Sequence, residues 1–313
     1  MKGYKRIAVI GSGGQVGSEL VGLDWSSYLA EHKVDVISLT RAELDVTNKA
    51  AVRTSLSEMK PDWVINASAY TAVDKAESDS VAAYSVNAMG PEILARCCAE
   101  LGAKLIHIST DYVYPGEGSA PLTEDDAVGP TGVYGASKLA GELLVSRACK
   151  EHIIMRTAWV YGASGGNFVK TMLRLGADRK KLSIVSDQWG GPTSALGIAG
   201  AIAAIVGSVT DRDARSEGLS HLWGTYNFSG EPHVNWAQFA QAIFSEALSM
   251  QLISSKPVIE SITTEEYPTP AKRPGNSRLS NRKIADIFGL QPDDWKVSLK
   301  DVLVELREER GEK

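Results

Sequence analysis

The sequence predicts an α/β protein built on a doubly wound parallel sheet, with a smaller C-terminal lobe. In the first half of the 313-residue chain, short apolar runs alternate with longer helical patterns, which is typical of parallel strands joined by crossover helices. A glycine-rich turn follows the first apolar run, at a place where such sheets bind ligands. The 43% hydrophobic content is enough for a large core and favours two lobes.

Composition excludes several classes of function. The formal net charge of −5 and the pI near 5.7 argue against a general nucleic-acid-binding protein. No apolar run approaches the roughly 20 residues that a membrane span needs, and no separate apolar segment precedes the first strand. The three cysteines suggest no disulfide framework, and the five histidines show no metal-ligand spacing. We therefore expect a cytoplasmic protein with no nucleic-acid partner, no membrane partner and no metal site.

A dinucleotide-binding turn is predicted near the N-terminus. A strand over residues 6–10 ends at Gly11, and a helix is expected over residues 15–29. Gly11 permits the tight turn, Gly14 lets the backbone approach a pyrophosphate, and Gly17 lets the helix pack on the strand. The free N–H groups of the first helical turn then face the anion. An ordinary glycine-rich turn is the alternative, and the position between the first strand and the first helix favours the cofactor site.

The end of the second strand favours NADPH over NADH. A carboxylate at this place binds the ribose 2′-OH of NAD, whereas an arginine accommodates the 2′-phosphate of NADP. The strand predicted over residues 34–39 is followed by Thr40 and Arg41, and no carboxylate stands at position 40. We expect both residues to bind the cofactor, with Asp45 and Val46 beside the adenine. A solvated arginine is the alternative, and NADH remains a second candidate cofactor.

Two later strands end in residues suited to a ligand site. The apolar run from residue 62 passes into a loop of small side chains that lets a cofactor lie close over the strand ends. That loop contains Ala67, Ser68 and Ala69. The run over residues 104–110 ends at Thr110, and Asp111 follows it. Ligands bind at the carboxyl ends of parallel strands, although the Thr110 hydroxyl could equally cap its own turn.

Tyr134 and Lys138 form a candidate proton-transfer pair. Four residues apart on a helix, their side chains lie on one face. The lysine charge favours the phenolate, so that the pair could exchange a proton with a substrate oxygen near neutral pH. Taken alone, this spacing occurs by chance in many helices, and its meaning depends on the surrounding motifs.

These motifs together resemble the extended short-chain dehydrogenases/reductases. They are the glycine turn, the strand end at residues 109–114 and the Tyr134-x-x-x-Lys138 pair. Further stretches resemble the dTDP-4-dehydrorhamnose reductase family within that group, namely residues 72–77, 156–161, 167–172, 187–193 and 273–279. The likeness covers most of the chain. It implies a Rossmann-like NADP(H)-binding domain over residues 1–160, to which residues 193–228 return, and a lobe over residues 161–313 that mainly binds a nucleotide-sugar.

The resemblance implies a role for each matching residue. Tyr134 would donate a proton, Lys138 would hold the nicotinamide ribose and lower the Tyr134 pKa, and Thr110 would hydrogen-bond the reacting oxygen. Residues lining the cofactor would be Gly14, Gln15, Val16, Ala67, Ser68 and Ala69. Those facing the deoxysugar would be Asp111, Trp159 and Asn167, with Arg273 closing over the nucleotide-sugar. Plain core packing is the alternative for Trp159, and a loop arginine is the alternative for Arg273.

The implied activity is NADPH-dependent reduction of the C4 ketone of dTDP-6-deoxy-L-lyxo-4-hexulose to dTDP-L-rhamnose. One alternative is a nucleotide-sugar epimerase or dehydratase of the same fold, which would keep NAD bound. Another is a non-catalytic subunit, since the regulatory β subunit of methionine adenosyltransferase resembles this family. The match at Thr110, Tyr134 and Lys138 favours the reductase.

One departure from the family concerns a metal-bound dimer. Some relatives form a dimer around a magnesium ion held by glutamates. Glu19 matches one such position, but residues 194–197 contain no acid, and Lys296 follows Trp295 where an acid would be expected. We predict that this magnesium site is absent and that the protein is a monomer or a homodimer that uses another surface.

Overall fold

The computed structural model describes residues 3–309 and residue 311. Its strands are β1 (Gly3–Ile10), β2 (His32–Leu39), β3 (Trp63–Asn66), β4 (Lys104–Thr110), β5 (His152–Thr157), β6 (Val160–Tyr161), β7 (Lys181–Val185), β8 (Trp189–Gly190), β9 (Thr193–Ser194), β10 (Gly224–Asn227), β11 (Val234–Asn235), β12 (Val258–Ile262) and β13 (Asn276–Ser277). Its α-helices are α1 (Gln15–Gly22), α2 (Lys49–Met59), α3 (Val73–Ala76), α4 (Ser80–Tyr84), α5 (Gly90–Leu101), α6 (Val133–Ala148), α7 (Phe168–Asp178), α8 (Ala195–Ala214), α9 (Trp236–Ser249), α10 (Arg282–Phe288) and α11 (Trp295–Glu309).

The main sheet has six strands in the order β10-β5-β4-β3-β1-β2. Every neighbouring pair is parallel, which confirms the predicted doubly wound parallel sheet. The chain passes from β1 to β2 on one side and then crosses to β3 on the other. The carboxyl ends of β1 and β3 therefore flank the point where the winding reverses, which is where such sheets bind ligands.

Helices cover both faces of this sheet because successive strand side chains point to opposite faces. Ile7 and Val9 of β1 belong to an apolar cluster with residues of α1 and α8. Ala8 and Ile10 belong to a second cluster with residues of α2 and α5. All four side chains are fully buried. This two-sided burial explains why the strand is a continuous apolar run rather than an alternating one.

Helix α8 is long and apolar enough to cross a membrane, by length and composition alone. The expectation that no apolar run approaches that length is therefore wrong. In the structure, 61% of its most apolar window is buried inside the fold. Ala199, Ile202 and Val206 pack in the same cluster as the central strands. An all-round apolar helix placed in this way is a core helix.

The first helix is shorter than the sequence pattern predicts. Helix α1 ends at Gly22, since Leu23 already has extended backbone angles. A 3₁₀ turn over Trp25–Ser27 follows, and the carboxylate of Asp24 accepts a backbone hydrogen bond from that turn. Because Asp competes for such local hydrogen bonds, it ends the helical pattern well before residue 29.

A second apolar core lies outside the main sheet and is formed mainly by α7, α9 and α11. Helix α9 begins with a capping box in which Asn235 and Gln238 each accept the other's backbone N–H. The buried faces of α9 and α11 include Phe239 and Leu299. Between α7 and α9 the chain returns to the main sheet with α8 and β10, so it passes between the two cores more than once.

Candidate active site

A cleft of about 790 Å³ lies at the carboxyl edge of the main sheet. Its walls come from the loops after β1, β2, β3, β4 and β5 and from the start of α6. Of the residues predicted to form the site, those in its walls are Gly11, Gly14, Gln15, Val16, Arg41, Asp45, Val46, Ala67, Ser68, Ala69, Thr110, Asp111, Tyr134, Lys138 and Trp159. Gly17, Thr40, Asn167 and Arg273 lie outside those walls.

The glycine turn forms the floor of one end of the cleft. Gly11 has a φ of +81°, and a Cβ there would lie 2.6 Å from the backbone nitrogen of Ser68. A Cβ on Gly17 would overlap the carbonyl oxygen of Gly11, so its absence lets α1 pack close to the strand end. No side chain caps α1 at Gly14. The first N–H groups of the helix therefore remain free for an anion.

Of the residues after β2 that were predicted to bind the cofactor, some line the cleft and one does not. Arg41 and Asp45 lie in the cleft wall. The backbone N–H and hydroxyl of Thr40 both donate to Glu43 Oε2, at 2.7 Å. Because these donors are already used and Thr40 lies outside the wall, the structure does not place it as a cofactor ligand. Hydrogen bonds from Thr47 hold the pKa of the Asp45 carboxyl below its usual value.

Helix α6 brings Tyr134 and Lys138 to the cleft together. A Cβ on Gly135 would overlap the carbonyl oxygen of Tyr112, so this glycine allows the helix to lie against the turn after β4. The rings of Tyr112 and Tyr134 meet edge to face, with centroids 5.4 Å apart. That turn also places Thr110, whose hydroxyl donates to Asp111 Oδ1 at 3.0 Å. The Thr110 hydroxyl also caps its own turn. Thr110 therefore lies in the cleft wall, as predicted for a ligand site, and also has the capping role that was the alternative.

The pKa of Tyr134 moves in the direction opposite to the sequence prediction. Desolvation by the surrounding protein raises it to about 12, while a hydrogen bond with Thr110 lowers it and the charge of Asp111 raises it further. Lys138 is not among the groups that shift it, so the lowering of this pKa by Lys138 stays a prediction. Since the phenol stays protonated near neutral pH, Tyr134 is suited to donate a proton.

Lys138 is a buried amine with an unusual environment. Its side chain is only 1% exposed, and burial lowers its pKa to about 8, against the opposing charge of Glu142. Its Nζ donates to the carbonyl oxygen of Ile108 at 2.6 Å and lies 3.5 Å from Nε2 of His107. These two contacts hold the amine in the wall of the cleft, to which Tyr134 also contributes.

Asp111 and Thr157 add buried polar groups to the cleft. Burial raises the pKa of Asp111 to about 6, although hydrogen bonds with Ser277 and Thr110 lower it. The Thr157 hydroxyl is buried and has no hydrogen-bond partner among the described residues. Thr157 was not predicted, yet it stands at the end of β5, and the rule that ligands bind at strand ends could have found it.

Trp159 is held in a strained conformation at the wall of the cleft. Its φ is +50°, which is rare for a bulky side chain and typical of functional sites. The indole stacks on Trp236 with centroids 3.5 Å apart and an interplanar angle of 10°. A Cβ on Gly190 would lie 2.6 Å from this indole, so that glycine makes room for it. Trp159 thus packs on the second core and also faces the cleft.

Asn167 and Arg273 connect elements rather than line the cleft. Asn167 caps α7, and its amide nitrogen donates to Gln15 Oε1 at 2.9 Å, which links α7 to the glycine turn. Arg273 forms an ion pair with Asp74 at 2.7 Å, and this hydrogen bond lowers the pKa of Asp74. The sugar-facing position predicted for Asn167 and the closing position predicted for Arg273 are not seen.

Several cleft residues were missed by the sequence prediction. They are Gly13, Leu44, Tyr70, Thr71, Val73, Val86, Ile108, Ser109, Tyr112, Thr157, Val160, Gly165 and Gly166. Tyr70 and Thr71 continue the loop of small residues after β3, so a longer reading of that loop would have included them. Gly165 and Gly166 lie in the second half of the chain and carry no strand-end signal.

Glu19 lies in a second groove, away from the cleft. Burial and the neighbouring charge of Glu305 raise its pKa. Among the residues that the structure describes, no group of three or more His, Cys, Asp or Glu side chains is placed to hold a metal ion. The absence of the family's magnesium site stays a prediction.

The parallel sheet, the glycine turn and the Tyr134–Lys138 pair define an extended short-chain dehydrogenase/reductase. The family model described as RmlD substrate binding domain matches residues 5–308, and the chain belongs to that family. It is 42% identical over 297 residues to the dTDP-4-dehydrorhamnose reductase of Aggregatibacter actinomycetemcomitans, a match that covers 95% of this chain and 98% of the relative.

Two solved structures agree with this membership. A dTDP-4-dehydrorhamnose reductase from Clostridium acetobutylicum superposes with a TM-score of 0.83 at 37% identity, over 96% of this chain and 99% of that one. A dTDP-4-dehydrorhamnose reductase from Bacillus anthracis in complex with NADP gives a TM-score of 0.81 at 33% identity, over the same shares of 96% and 99%.

Proposed function

We propose that this protein is an NADPH-dependent reductase that converts the C4 ketone of dTDP-6-deoxy-L-lyxo-4-hexulose to dTDP-L-rhamnose. The observation that carries the proposal is the meeting of two hydroxyls, Thr110 and Tyr134, above the buried amine of Lys138 and beside the glycine turn. The family and the names of its members supply the substrate class.

The residues present fit a dinucleotide. A Cβ at Gly11 would strike the backbone at Ser68, so this turn leaves backbone rather than side chains at the cleft floor. The uncapped start of α1 offers N–H groups to a pyrophosphate. Arg41 lies in the wall of the cleft, and position 40 is a threonine rather than an acidic residue that would bind the ribose 2′-OH of NAD. This combination favours the 2′-phosphate of NADP. The NADP complex of the Bacillus anthracis relative supports this choice.

The chemistry divides between cofactor and protein. NADPH, when bound, supplies the hydride that reduces the ketone. Thr110 and Tyr134 direct their hydroxyls to the carbonyl oxygen, where negative charge develops, and the low polarity of the site strengthens these hydrogen bonds. Tyr134 then gives its proton to that oxygen. As the phenol becomes a phenolate, a protonated Lys138 beneath it stabilises the new charge.

The predicted lobes and the remaining site residues belong to this proposal. We assign residues 1–160 with residues 193–228 to the cofactor-binding domain, since α8 and β10 complete its sheet. The rest of the chain after residue 160 would bind the nucleotide-sugar, with Asp111 and Trp159 nearest to the deoxysugar. We place the enzyme in the cytoplasm, as a monomer or a homodimer, with the dTDP-sugar as its partner and no nucleic acid or membrane.

Two other functions fit the cleft less well. A nucleotide-sugar epimerase or dehydratase of the same fold would keep NAD bound, which the Arg41 side of the cleft disfavours. A regulatory subunit resembling the β subunit of methionine adenosyltransferase would need no proton donor. The proximity of Thr110, Tyr134 and Lys138 in one cleft favours catalysis. Consumption of NADPH that depends on the dTDP-4-keto sugar separates the reductase from both alternatives.

Replacing Tyr134 with Phe tests the mechanism. The variant keeps the ring and loses the proton donor, so turnover should fall by about 10²–10⁴-fold, the usual contribution of a general acid. NADPH binding, measured by fluorescence, should change little. Tyr84→Phe is the matched control, because Tyr84 is exposed on α4 and lies outside the cleft. Near-normal turnover by Tyr134→Phe would contradict the assignment.

A further inference from the structure

Lys138 ends a buried chain of polar groups that begins at Ser68. The backbone N–H and hydroxyl of Ser68 lie 3.1 Å and 2.6 Å from Asn66 Oδ1. Asn66 Nδ2 lies 3.0 Å from His107 Nδ1, and His107 Nε2 lies 3.5 Å from Lys138 Nζ. Asn66 and His107 are completely buried. Bulk solvent therefore does not reach these two side chains, and their neighbours lie within hydrogen-bonding distance.

The backbone of Ser68 determines how Asn66 is oriented. A backbone N–H can only donate, so the side-chain atom of Asn66 that faces it must be the carbonyl oxygen. The amide nitrogen then faces His107, and as a donor it requires an acceptor at Nδ1. The reverse orientation would set two donors against each other. His107 Nδ1 therefore carries no proton.

The tautomer of His107 follows from this orientation. Burial holds the pKa of His107 well below its usual value, and the charge of Lys138 lowers it further, so the ring is neutral. A neutral imidazole with an acceptor at Nδ1 carries its proton on Nε2. That N–H points to Lys138 Nζ. An ammonium group has no lone pair to receive it, whereas a neutral amine has one.

We propose that His107, oriented by Asn66, is a positioning residue that favours the neutral form of the Lys138 amine over the ammonium until the cofactor binds. Nζ then accepts from His107 Nε2 and donates to the Ile108 carbonyl. When the cofactor enters, the amine takes up one proton from solvent and loses the hydrogen bond from His107 Nε2, and no covalent bond other than the new N–H changes. The resulting ammonium is the form that the mechanism needs beneath Tyr134. This inference rests on the proposed function, since it assigns the cofactor as the trigger.

The other charged groups near Lys138 do not reverse this arrangement. Its own helix contributes Tyr134, which is protonated, and Glu142, whose charge favours the ammonium. Glu142 is already paired with Arg156 at 2.6 Å, which limits its effect. From β4, His107 is the titratable neighbour of the amine, and β3 contributes the uncharged Asn66.

Proton uptake on NADPH binding tests the proposal directly. Calorimetric titration of the wild-type protein in buffers of different ionisation enthalpy gives the number of protons taken up. At about pH 9 the free amine is mostly neutral and the 2′-phosphate is fully ionised, so we expect close to one proton per NADPH. At about pH 6.5 the uptake should be much smaller. Binding without uptake at about pH 9 would overturn the inference.

Variants identify the groups responsible. Lys138→Met should bind NADPH without the uptake, because the titrating group is gone. His107→Gln can place a carbonyl oxygen towards Nζ, and Asn66→Asp can turn the imidazole proton to Nδ1, so each should favour the ammonium and reduce the uptake at about pH 9 to less than half. His233→Gln is the matched control. That histidine contacts the Leu279 carbonyl and lies outside the cleft, so its uptake should equal that of the wild type.

The outcomes separate the two proposals. Failure of the wild-type protein to bind NADPH would overturn the proposed function itself. Binding with wild-type uptake in both His107→Gln and Asn66→Asp would leave the function standing and reject the role of His107. If one of these variants does not fold, the other still decides the point. If neither folds, wild-type uptake that Lys138→Met abolishes supports the neutral amine, and its absence rejects it.

Discussion

Two buried basic side chains, Lys138 of α6 and Arg156 of β5, differ in how they are paired. Arg156 of β5 makes hydrogen bonds to both carboxylate oxygens of Glu142, the shortest at 2.6 Å, and a further one to the hydroxyl of Tyr114 at 2.8 Å. Lys138, one turn earlier than Glu142, has no carboxylate partner among the residues that the structure describes. Its contacts are a backbone carbonyl and a histidine.

The pKa of Arg156 and the pKa of Lys138 are shifted in opposite directions, because only Arg156 has a carboxylate partner. Burial by itself lowers the pKa of Arg156, but the hydrogen bonds and charge of Glu142 more than offset this and raise it. At Lys138 burial dominates and the pKa falls to about 8. A fully paired cation cannot change its proton content, whereas a poorly paired one can. The first therefore serves the fold, and the second suits proton transfer.

Glu142→Leu should give the largest effect on stability. It leaves the Arg156 guanidinium buried with only Tyr114 as a side-chain partner, and breaking a buried ion pair in this way costs about 3–5 kcal/mol. Urea denaturation measures the loss. The double variant Glu142→Leu/Arg156→Met removes both charges and should recover most of it. A loss below about 1 kcal/mol for the single variant would show that the pair does not stabilise the fold.

Lys138→Met should shift stability in the other direction. The folded-state pKa of about 8 lies below the ordinary lysine value of 10.5, so the protonated lysine opposes folding by about 3 kcal/mol at all pH values below 8. Between about pH 8 and pH 10.5 only the unfolded chain retains this proton, and wild-type stability rises with pH. The variant lacks this term, so it should be the more stable protein at neutral pH, with the difference narrowing as the pH rises.

Denaturation of the wild type and Lys138→Met at several pH values checks this dependence, since the difference between the two curves isolates Lys138 from other titrating groups. Turnover of the variant should fall despite its greater stability. A variant that is less stable than the wild type at neutral pH would show that Lys138 is a structural residue like Arg156.

Tyr114→Phe should give the smallest of these effects. The variant keeps the ring, which lies 4.9 Å from the Arg156 guanidinium, and loses the hydroxyl that accepts from Arg156. Loss of such a buried hydrogen bond costs about 1–3 kcal/mol. Because Tyr114 lies outside the cleft, turnover per folded molecule should stay near that of the wild type. A large fall in turnover would mean that the Arg156 cluster also shapes the site.

The sheet could be predicted from sequence because its strands are buried on both faces. Residues 6–10 and 104–110 are apolar runs for that reason, and parallel topology then places their carboxyl ends together. Helix lengths were less predictable, since α1 ends at Gly22 through a local cap at Asp24. Such caps depend on hydrogen bonds that hydrophobic periodicity does not show.

The site was predictable where it follows directly from strand ends. Thr110 and Asp111 are of this kind, and Tyr134 and Lys138 became recognisable through the family motif. The contact of Asn167 with Gln15 could not be predicted, because it joins distant parts of the chain. The place of Asn167 beside the deoxysugar stays a prediction. The position of His107 beneath Lys138 was also missed, because a histidine within an apolar strand gives no sign of which face it occupies.

The order of strands in the main sheet has a consequence for the growing chain on the ribosome. β10 forms one edge of that sheet, and α8 covers one of its faces, yet both are encoded after residue 194. Until they emerge, β5 has an open edge, and the apolar side chains of β1 that α8 will cover remain in water. Such surfaces promote association between unfinished chains. The segment over residues 1–160 therefore cannot form the complete sheet by itself. Its exposed edge and apolar face are covered only after α8 and β10 have been synthesised.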